Sequence, residues 1–239
     1  MKTPIARNLT HTIVDDLGIA IIKGKMAPGA LFPEAELSNR YQVSRTVLRE
    51  AVKMLTAKGL IRSRARQGTH VLPERDWNML DPDVLRWLLE RKFSFELLMD
   101  FTEVRMAIEP KAAARAASKA DKKDKQNILH AIERMEAAER GDDDPLESDI
   151  AFHIAVLEAS GNRFFSDLTG IVRAALSFSI RRSNEYAGVR IADVGEHKAV
   201  ADAILAGNPR LAEQRMTELI EGAAADIAKG ATRKGAGKR

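Results

Sequence analysis

Apolar side chains recur at helical spacing through the first quarter of the chain. Residues 10–23 place them three and four positions apart, which predicts an amphipathic helix. Two further helical patterns cover 34–41 and 44–58, and only Gln42 and Val43 separate them. Two helices with apolar faces and so short a link are typical of a helix-turn-helix, because the link fixes the second helix against the first.

Residues 60–71 change from helical spacing to short runs that favour β-strands. The runs flank a turn that contains Gly68, so they predict a hairpin. Arg62, Arg64 and Arg66 alternate along the first run, which would place them on one face of an extended strand. A basic hairpin directly after a helix-turn-helix predicts a winged helix-turn-helix.

The rest of the chain is helical in pattern. A junction over residues 74–92 contains Trp77 and Trp87, which we expect to pack at the domain boundary, and a helix that begins at Asp81-Pro82. Later helices are predicted over 95–117, 122–140, 145–159, 164–182, 193–206 and 209–228. The expected fold class is therefore mainly α, with an N-terminal winged helix-turn-helix and a C-terminal all-α bundle of six or seven helices.

Composition and charge narrow the class of protein. The 239 residues include no cysteine, which excludes disulfide frameworks, cysteine zinc fingers and thiol nucleophiles. No apolar run reaches the roughly 18 residues that span a bilayer, so we expect a cytoplasmic protein without a membrane partner. Residues 1–75 hold 13 Lys and Arg against 6 Asp and Glu, whereas 76–228 hold 20 against 28. This concentration of basic charge in the N-terminal domain indicates a nucleic-acid partner.

The candidate DNA-binding residues lie at the start of the second helix of the helix-turn-helix and at the wing tip. The helix begins with a residue suited to an N-cap, and its first turns are where a recognition helix presents side chains to bases and phosphates. Any one arginine there could simply be a solvated surface residue. The ordered combination within a basic domain favours DNA binding by Ser44, Arg45, Thr46, Arg49, Arg66 and Gly68.

The motifs of this domain resemble those of the GntR family of regulators over residues 10–72. The resemblance implies a homodimer on a pseudo-palindromic operator in double-stranded DNA, with residues 45–49 in the major groove and the wing tip at the minor groove. Family members often carry Arg where this chain has Ala35, which cannot make the corresponding phosphate contact. The motifs are Pro28-Gly29, Phe32-Pro33, Glu36-Leu37, the run from Val43 to Ala51, Leu55, Gly59-Leu60-Ile61 and Gly68-Thr69.

Three residues of the helical region are candidate metal ligands. Asp149 and His153 are four positions apart, so they share one face of a helix, as two ligands must. His197 lies beside the apolar face of a later helix and therefore needs a polar partner. From the residues alone, an intrahelical ion pair and a hydrogen-bonded core histidine explain the pattern as well as a metal site does. His130 is set aside because its helix has the pattern of a solvent-facing one.

From about residue 80 to residue 227 the chain resembles the FCD effector domain of the FadR subfamily of GntR regulators. The resemblance rests on Asp149 with His153, on Glu196-His197-Lys198-Ala199 and on the helix carrying Arg105 and Glu109-Pro110. It implies a divalent metal bound by Asp149, His153 and His197, with zinc as the first choice and nickel or manganese as alternatives. Many members carry a further histidine where this chain has Leu219, so three protein ligands are expected.

The same resemblance implies that Arg105 binds a small carboxylate effector. Hydroxyl-bearing anions suit an arginine beside a metal, and the junction resembles that of sugar-acid-responsive members, so a sugar acid such as galactonate is the expected effector. Four further effector-binding candidates are Asn162, in the segment before the next helix, and Arg173, Ser177 and Arg181, spaced four positions apart on that helix. A surface pair explains Arg181-Arg182 equally well. An alternative function is a metal-dependent enzyme acting on a small carboxylate, although Glu196 is poorly placed as a general base.

These inferences divide the chain into four parts. Residues 1–73 form the winged helix-turn-helix, and 74–92 form the junction with the first helix of the effector domain. Residues 93–228 form the metal- and effector-binding helical domain, and 229–239 form a disordered basic tail. The expected function is that of a ligand-responsive transcriptional regulator, acting as a repressor, of a sugar-acid or related carboxylate catabolic operon.

Overall fold

The computed structural model describes the backbone of residues 4–64, 66–91, 94–186 and 193–236. Side-chain environments are described for residues 9–64, 66–91, 94–177 and 193–225. The contacts divide the chain into two compact units, and the boundary falls between residues 93 and 94. Among the described residues, no helix is long and apolar enough to cross a membrane.

The N-terminal unit contains a winged helix-turn-helix, as the sequence predicts. Its two strands pair antiparallel, with Ile61 opposite Val71 and Arg64 opposite Gly68. Leu48, Ala51 and Leu55 form the buried face of the second helix of the helix-turn-helix. The elements are α1 (Pro4–Ile22), α2 (Glu34–Arg40), α3 (Arg45–Ala57), β1 (Ile61–Arg64), β2 (Gly68–Val71), a short 3₁₀ helix (Glu74–Asp76) and α4 (Pro82–Leu88).

Helix α4 packs inside the N-terminal unit, whereas the sequence pattern predicts it to be the first helix of the effector domain. The physical reason is Trp87, which is fully buried in the same apolar cluster as Ile13 and Leu55. Its ring lies against Gly18 of α1, where a Cβ atom would come within 2.4 Å of it. The glycine on α1 thus makes room for the tryptophan, a correspondence that spacing within either segment does not reveal.

The C-terminal unit is a bundle of seven helices within the described residues, which confirms the predicted all-α architecture. Its core joins alanine-rich faces of the long helices to larger apolar residues such as Phe152, Ile150 and Met216. The helices are α5 (Phe95–Lys119), α6 (Lys122–Arg140), α7 (Pro145–Ala159), α8 (Arg163–Asp167), α9 (Thr169–Tyr186), α10 (Val194–Leu205) and α11 (Pro209–Ala236).

Two helix boundaries of this unit differ from the prediction. The single helix expected over 164–182 is divided at Leu168, where α8 ends and α9 begins. Helix α11 continues to Ala236, through most of the segment expected to be a disordered tail. Extension of an existing helix avoids the cost of nucleation, so alanine and lysine residues can continue a helix that they would not start.

Candidate functional site

A buried cluster of polar side chains lies between three helices of the C-terminal unit. Asp149 and His153 lie one turn apart on α7, and His197 comes from α10. Each of the three is at most 3% exposed. The Nε2 atom of His197 lies 3.0 Å from Oδ1 of Asp149, and the Nε2 atom of His153 lies 3.2 Å from the same oxygen. The structure therefore brings together the three residues proposed as metal ligands.

The other ring nitrogen of each histidine is held by an acceptor oxygen. His153 Nδ1 lies 2.5 Å from Oε2 of Glu109, and His197 Nδ1 lies 2.7 Å from the backbone carbonyl of Asp193. An N–H donated at Nδ1 directs Nε2 toward Asp149, where a metal ion bound in place of the Nε2–H···Oδ1 contact would meet the nitrogen lone pair. This is the outer arrangement that normally orients metal-binding imidazoles in proteins.

Phe152 packs against both histidine rings, which also contact each other at a centroid distance of 5.3 Å. Its ring makes edge contacts with His153 and His197, at centroid distances of 5.4 Å and 5.1 Å. Phe152 is itself fully buried. Apolar packing therefore restricts the rotation of both imidazoles in addition to their hydrogen bonds.

Arg105 and Glu109, both on α5, complete the cluster. Arg105 Nε donates to Oε1 of Glu109 over 2.6 Å, and its Nη2 atom lies 3.3 Å from Nε2 of His153. Both residues are buried. We call Arg105, Glu109, Asp149, His153 and His197 the buried centre.

The charges of the buried centre stabilise one another. Burial opposes ionisation of Glu109, but the positive charges of Arg105 and His153 outweigh it and hold the pKa of Glu109 at about 2. Burial also opposes ionisation of Asp149, yet hydrogen bonds from His153 and His197 keep its pKa well below the ordinary value. Burial lowers the pKa of His153, but the charge of Glu109 outweighs it and raises that pKa. Both carboxylates are thus ionised at neutral pH.

The donor set of the buried centre fits a divalent metal. The candidate ligand atoms of Asp149, His153 and His197 all lie within 4.8 Å of one another. Two imidazole nitrogens and one carboxylate oxygen suit zinc, nickel or manganese, and they do not select strongly among these ions. A bound divalent ion would supply a Lewis-acid position for oxygen atoms of a small ligand. Leu219, at the position of the additional family histidine, is buried in the apolar core.

Glu109 is the member of the buried centre that the sequence pattern does not predict as a site residue. Its position four residues after Arg105 on one helix was the available signal, because such a pair shares a face. The pattern could not show that this face is buried or that His153 lies against it. An exposed pair of this kind would be an ordinary surface ion pair.

The remaining effector candidates have other surroundings. Arg173 is exposed and donates to Glu147 over 2.9 Å. Asn162 caps α8, where its side-chain oxygen accepts from the backbone of Phe164. Ser177 is half-buried on α9. The side chain of Arg181 lies outside the described residues.

The residues proposed to read DNA are exposed on α3 and on the wing of the N-terminal unit. Ser44 caps α3 by accepting from the backbone N–H of Val47. Arg45 and Thr46 at the start of α3 are exposed, as are Arg66 and Gln67 in the turn of the wing. Arg66 and Gly68 both have positive φ, 61° and 83°, which gives the wing its tight turn. The exposed candidates are Ser44, Arg45, Thr46, Arg49, Arg66 and Gly68.

Family comparisons agree with both halves of this architecture. Residues 9–71 match the bacterial regulatory proteins of the gntR family, and residues 100–222 match the FCD domain. The chain therefore belongs to the GntR family, in the FadR subfamily that carries an FCD domain. It is a ligand-responsive, DNA-binding transcriptional regulator.

Individual relatives give the same assignment. The galactonate operon transcriptional repressor of Escherichia coli (strain K12) is 35% identical over 216 residues, covering 89% of this chain and 94% of the relative. The putative L-lactate dehydrogenase operon regulatory protein of the same organism is 30% identical over 224 residues, covering 89% of this chain and 83% of the relative. The solved structure of Lar, which controls the expression of the Listeria monocytogenes agr system, has a TM-score of 0.61 at 16% identity. It covers 96% of this chain and 98% of its own, and shows a shared fold.

Proposed function

We propose that the protein is a homodimeric repressor whose C-terminal domain binds a divalent metal and, through it, a hydroxylated monocarboxylate such as a sugar acid. The observation that carries the proposal is the convergence of Asp149, His153 and His197 beside the guanidinium of Arg105. Two imidazoles and one carboxylate would hold the metal. Three protein ligands leave coordination positions for oxygen atoms of an effector.

The charges of the buried centre favour an effector with a single negative charge. One guanidinium, two carboxylates and a divalent ion leave one net positive charge when both histidines are neutral ligands. A buried net charge is costly unless an opposite charge neutralises it. One carboxylate achieves this, whereas a dicarboxylate would leave an excess negative charge and an uncharged sugar would leave the positive charge unpaired.

The relatives support a sugar acid or another hydroxycarboxylate. One is named for a galactonate operon and another for an L-lactate dehydrogenase operon. Galactonate and L-lactate are both hydroxylated monocarboxylates. Galactonate is the first effector to test. Arg105 is the residue we assign to the carboxylate, because a guanidinium matches its geometry with two parallel donors.

For DNA recognition, we assign the base-reading role to the exposed start of α3 and the groove-edge role to the wing tip. Arg45, Thr46 and Arg49 would reach bases and phosphates, Ser44 would fix the helix start, and Arg66 with Gly68 would approach the minor groove. Replacement of Arg45 or Arg49 by Ala is expected to weaken operator binding by about 1–3 kcal/mol. Equal operator affinity of these variants and the parent would contradict the assignment.

An enzymatic role for the same centre is less well supported. Among the described residues, the carboxylate that contacts a candidate ligand from outside the ligand set is that of Glu109, and it is already bonded to Arg105 and His153. With its pKa held at about 2, it is a weak proton acceptor at neutral pH. Glu196 is exposed. Turnover of galactonate by the metal-loaded protein would restore the enzymatic alternative.

The test is operator binding by the full-length, metal-loaded protein, measured by fluorescence anisotropy on a duplex selected by the protein from a random pool. Galactonate, its dicarboxylate analogue galactarate and neutral galactose form a matched series. We expect galactonate to change the operator affinity and the other two to have no effect. An equal response to galactarate would contradict the charge argument, and no response to any hydroxycarboxylate would contradict the effector class.

A further inference from the structure

Lys58 is a buried lysine at the C-terminal end of α3. The residue is 8% exposed, and its Nζ atom lies 2.8 Å from Oδ1 of Asp81 and 2.7 Å from Oδ2 of Asp83. Lys53, on the same helix, is exposed and pairs with Glu50 three residues away. Lysine loses strong hydration and rotamer freedom on burial, so a buried lysine needs a specific compensating contact. We call Lys58, Asp81 and Asp83 the Lys58 anchor.

The anchor joins α3 to the first turn of α4. Asp81 is the N-cap of α4 and accepts from the backbone N–H groups of Asp83 and Val84, so Lys58 binds the cap itself. The main chain adds a second link, because the N–H of Asn78 donates to the carbonyl of Lys58 over 2.9 Å. Lys58 thus contacts the start of α4 through its side chain and the segment before α4 through its backbone.

Helix α4 is in turn fixed on α1. The indole N–H of Trp87 donates to Asp15 over 3.1 Å, and Arg86 donates to the same carboxylate oxygen over 2.5 Å. The Trp87 ring lies against Gly18 and 5.6 Å from the ammonium of Lys58. The C-terminal end of α3 is therefore held relative to α1 through α4.

A lysine on a recognition helix would ordinarily be assigned to a DNA phosphate. Lys58 is not available for that contact, since two carboxylates occupy its ammonium group inside the protein. Burial lowers the pKa of Lys58, but hydrogen bonds to Asp81 and Asp83 outweigh burial and raise it. The ammonium group remains charged and bound at neutral pH.

We propose that Lys58 is a positioning residue for DNA recognition: through Asp81 and Asp83 it fixes the C-terminal end of α3, and with it the direction in which the start of α3 meets the operator. The unit that reads DNA then extends beyond residue 71, where the family match ends, to include α4. The proposal depends on the DNA-binding function of the family and not on the metal or the effector.

The proposal predicts a change in DNA affinity opposite in sign to the change expected from net charge alone. The double substitution Asp81→Asn with Asp83→Asn removes two negative charges from a DNA-binding unit, which by itself would strengthen binding to DNA. Asparagine also keeps the N-cap of α4, so helix capping is retained. We expect this full-length variant to bind the selected operator duplex about 5- to 100-fold more weakly, the range for losing one or two base contacts. The control Asp76→Asn removes an exposed carboxylate and should bind at least as tightly as the parent.

Lys58→Met provides the second arm, with Lys53→Met as the matched control on the same helix. Loss of a phosphate contact lowers the salt dependence of binding by about one unit of log–log slope and weakens all sequences alike. Loss of positioning leaves that slope unchanged and lowers the preference for operator over random DNA, which a loss of folded protein would not do. The triple variant of Lys58, Asp81 and Asp83 should be no weaker than Lys58→Met, because the three act as one contact.

Three results would overturn the proposal. They are tighter operator binding by the Asp81→Asn, Asp83→Asn variant, a reduced salt slope for Lys58→Met, and an unchanged ratio of operator to random-DNA affinity in both variants. Thermal unfolding of each variant shows whether it is folded at the temperature of the binding assay. Should Lys58→Met fail to fold, the asparagine double variant, which retains side-chain volume, decides the question.

Discussion

Each unit contains a cluster of charged side chains, fully buried in the C-terminal unit and partly buried around Lys58 in the N-terminal unit, and the clusters differ in what they can bind. The Lys58 anchor pairs one ammonium group with two carboxylates, and every donor faces an acceptor. The buried centre instead directs two imidazole nitrogens at one oxygen of Asp149. An imidazole nitrogen can exchange its proton for a metal ion, whereas an ammonium group has no lone pair to offer. The first cluster is therefore suited to fixing helices and the second to accepting a ligand.

The outer contacts strengthen this difference. In the buried centre, Glu109 and the carbonyl of Asp193 hold the far nitrogens, so the near nitrogens are oriented inward. In the Lys58 anchor, Asp81 is also a helix cap and Asp83 also binds Arg86, so the carboxylates are committed to α4. Charge and burial alone thus do not distinguish a ligand site from a structural anchor. The type of donor and the direction in which it points do.

The largest expected effect is loss of metal from the buried centre. Asp149→Ala, His153→Ala and His197→Ala should each remove bound metal from the purified full-length protein, because two remaining ligands bind an ion weakly. Elemental analysis after dialysis measures the content. His130→Ala removes an exposed histidine of α6 and should retain the parent's metal content. Unchanged metal in the three ligand variants would remove the distinction between the two clusters.

The second effect concerns stability. Glu109→Ala leaves Arg105 and His153 without their buried carboxylate, so we expect the free energy of unfolding of the metal-free protein to fall by about 3–5 kcal/mol. Denaturant unfolding followed by circular dichroism gives the value. Glu213→Ala breaks the exposed pair with Lys111 and should cost less than about 1 kcal/mol. Equal costs for the two variants would mean that burial adds nothing to the Glu109 contacts.

A third effect is on the effector response. Arg105→Lys keeps the charge but loses the two-donor fork, and we expect the galactonate concentration for half-maximal response to rise about tenfold or more, as for a lost charged hydrogen bond. Anisotropy titration of the operator complex measures it. Lys111→Met, on the exposed side of α5, serves as the control. A parental response from the Arg105 variant would assign the carboxylate to another residue.

The smallest effect is on acid stability in the Lys58 anchor. Burial raises the pKa of Asp83, but bonds from Lys58 and Arg86 outweigh it and lower that pKa below the ordinary value of 3.8. A carboxyl group with a lowered pKa stabilises the folded state at pH values above its pKa in the unfolded chain. This contribution is lost as the pH falls through its pKa in the folded protein. Asp83→Asn should therefore lower the melting temperature at neutral pH and make it fall less steeply in acid. A slope identical to that of the parent below about pH 4 would contradict this sign.

Much of the fold and part of the buried centre followed from local pattern. The four-residue spacing of Asp149 and His153 placed both on one face of α7, and the resemblance to FCD domains added His197. Glu109 and the position of α4 did not follow, because both depend on which surface of a helix is covered by another helix. The sequence predicts Trp87 to be a residue of the domain boundary. In the structure its ring fits against Gly18 and lies in the core of the N-terminal unit.

The sequence by itself determined the helical and hairpin periodicity, the concentration of basic charge near α3 and the wing, and the class of regulator. These properties depend on residues close together in the chain, where spacing fixes the face on which a side chain lies. Only the tertiary structure decided that two imidazoles meet one carboxylate, and that Lys58 is buried between Asp81 and Asp83 and not exposed toward DNA. Contacts between distant segments depend on packing, and packing decides whether the same charged side chain is solvated, paired or available for a ligand.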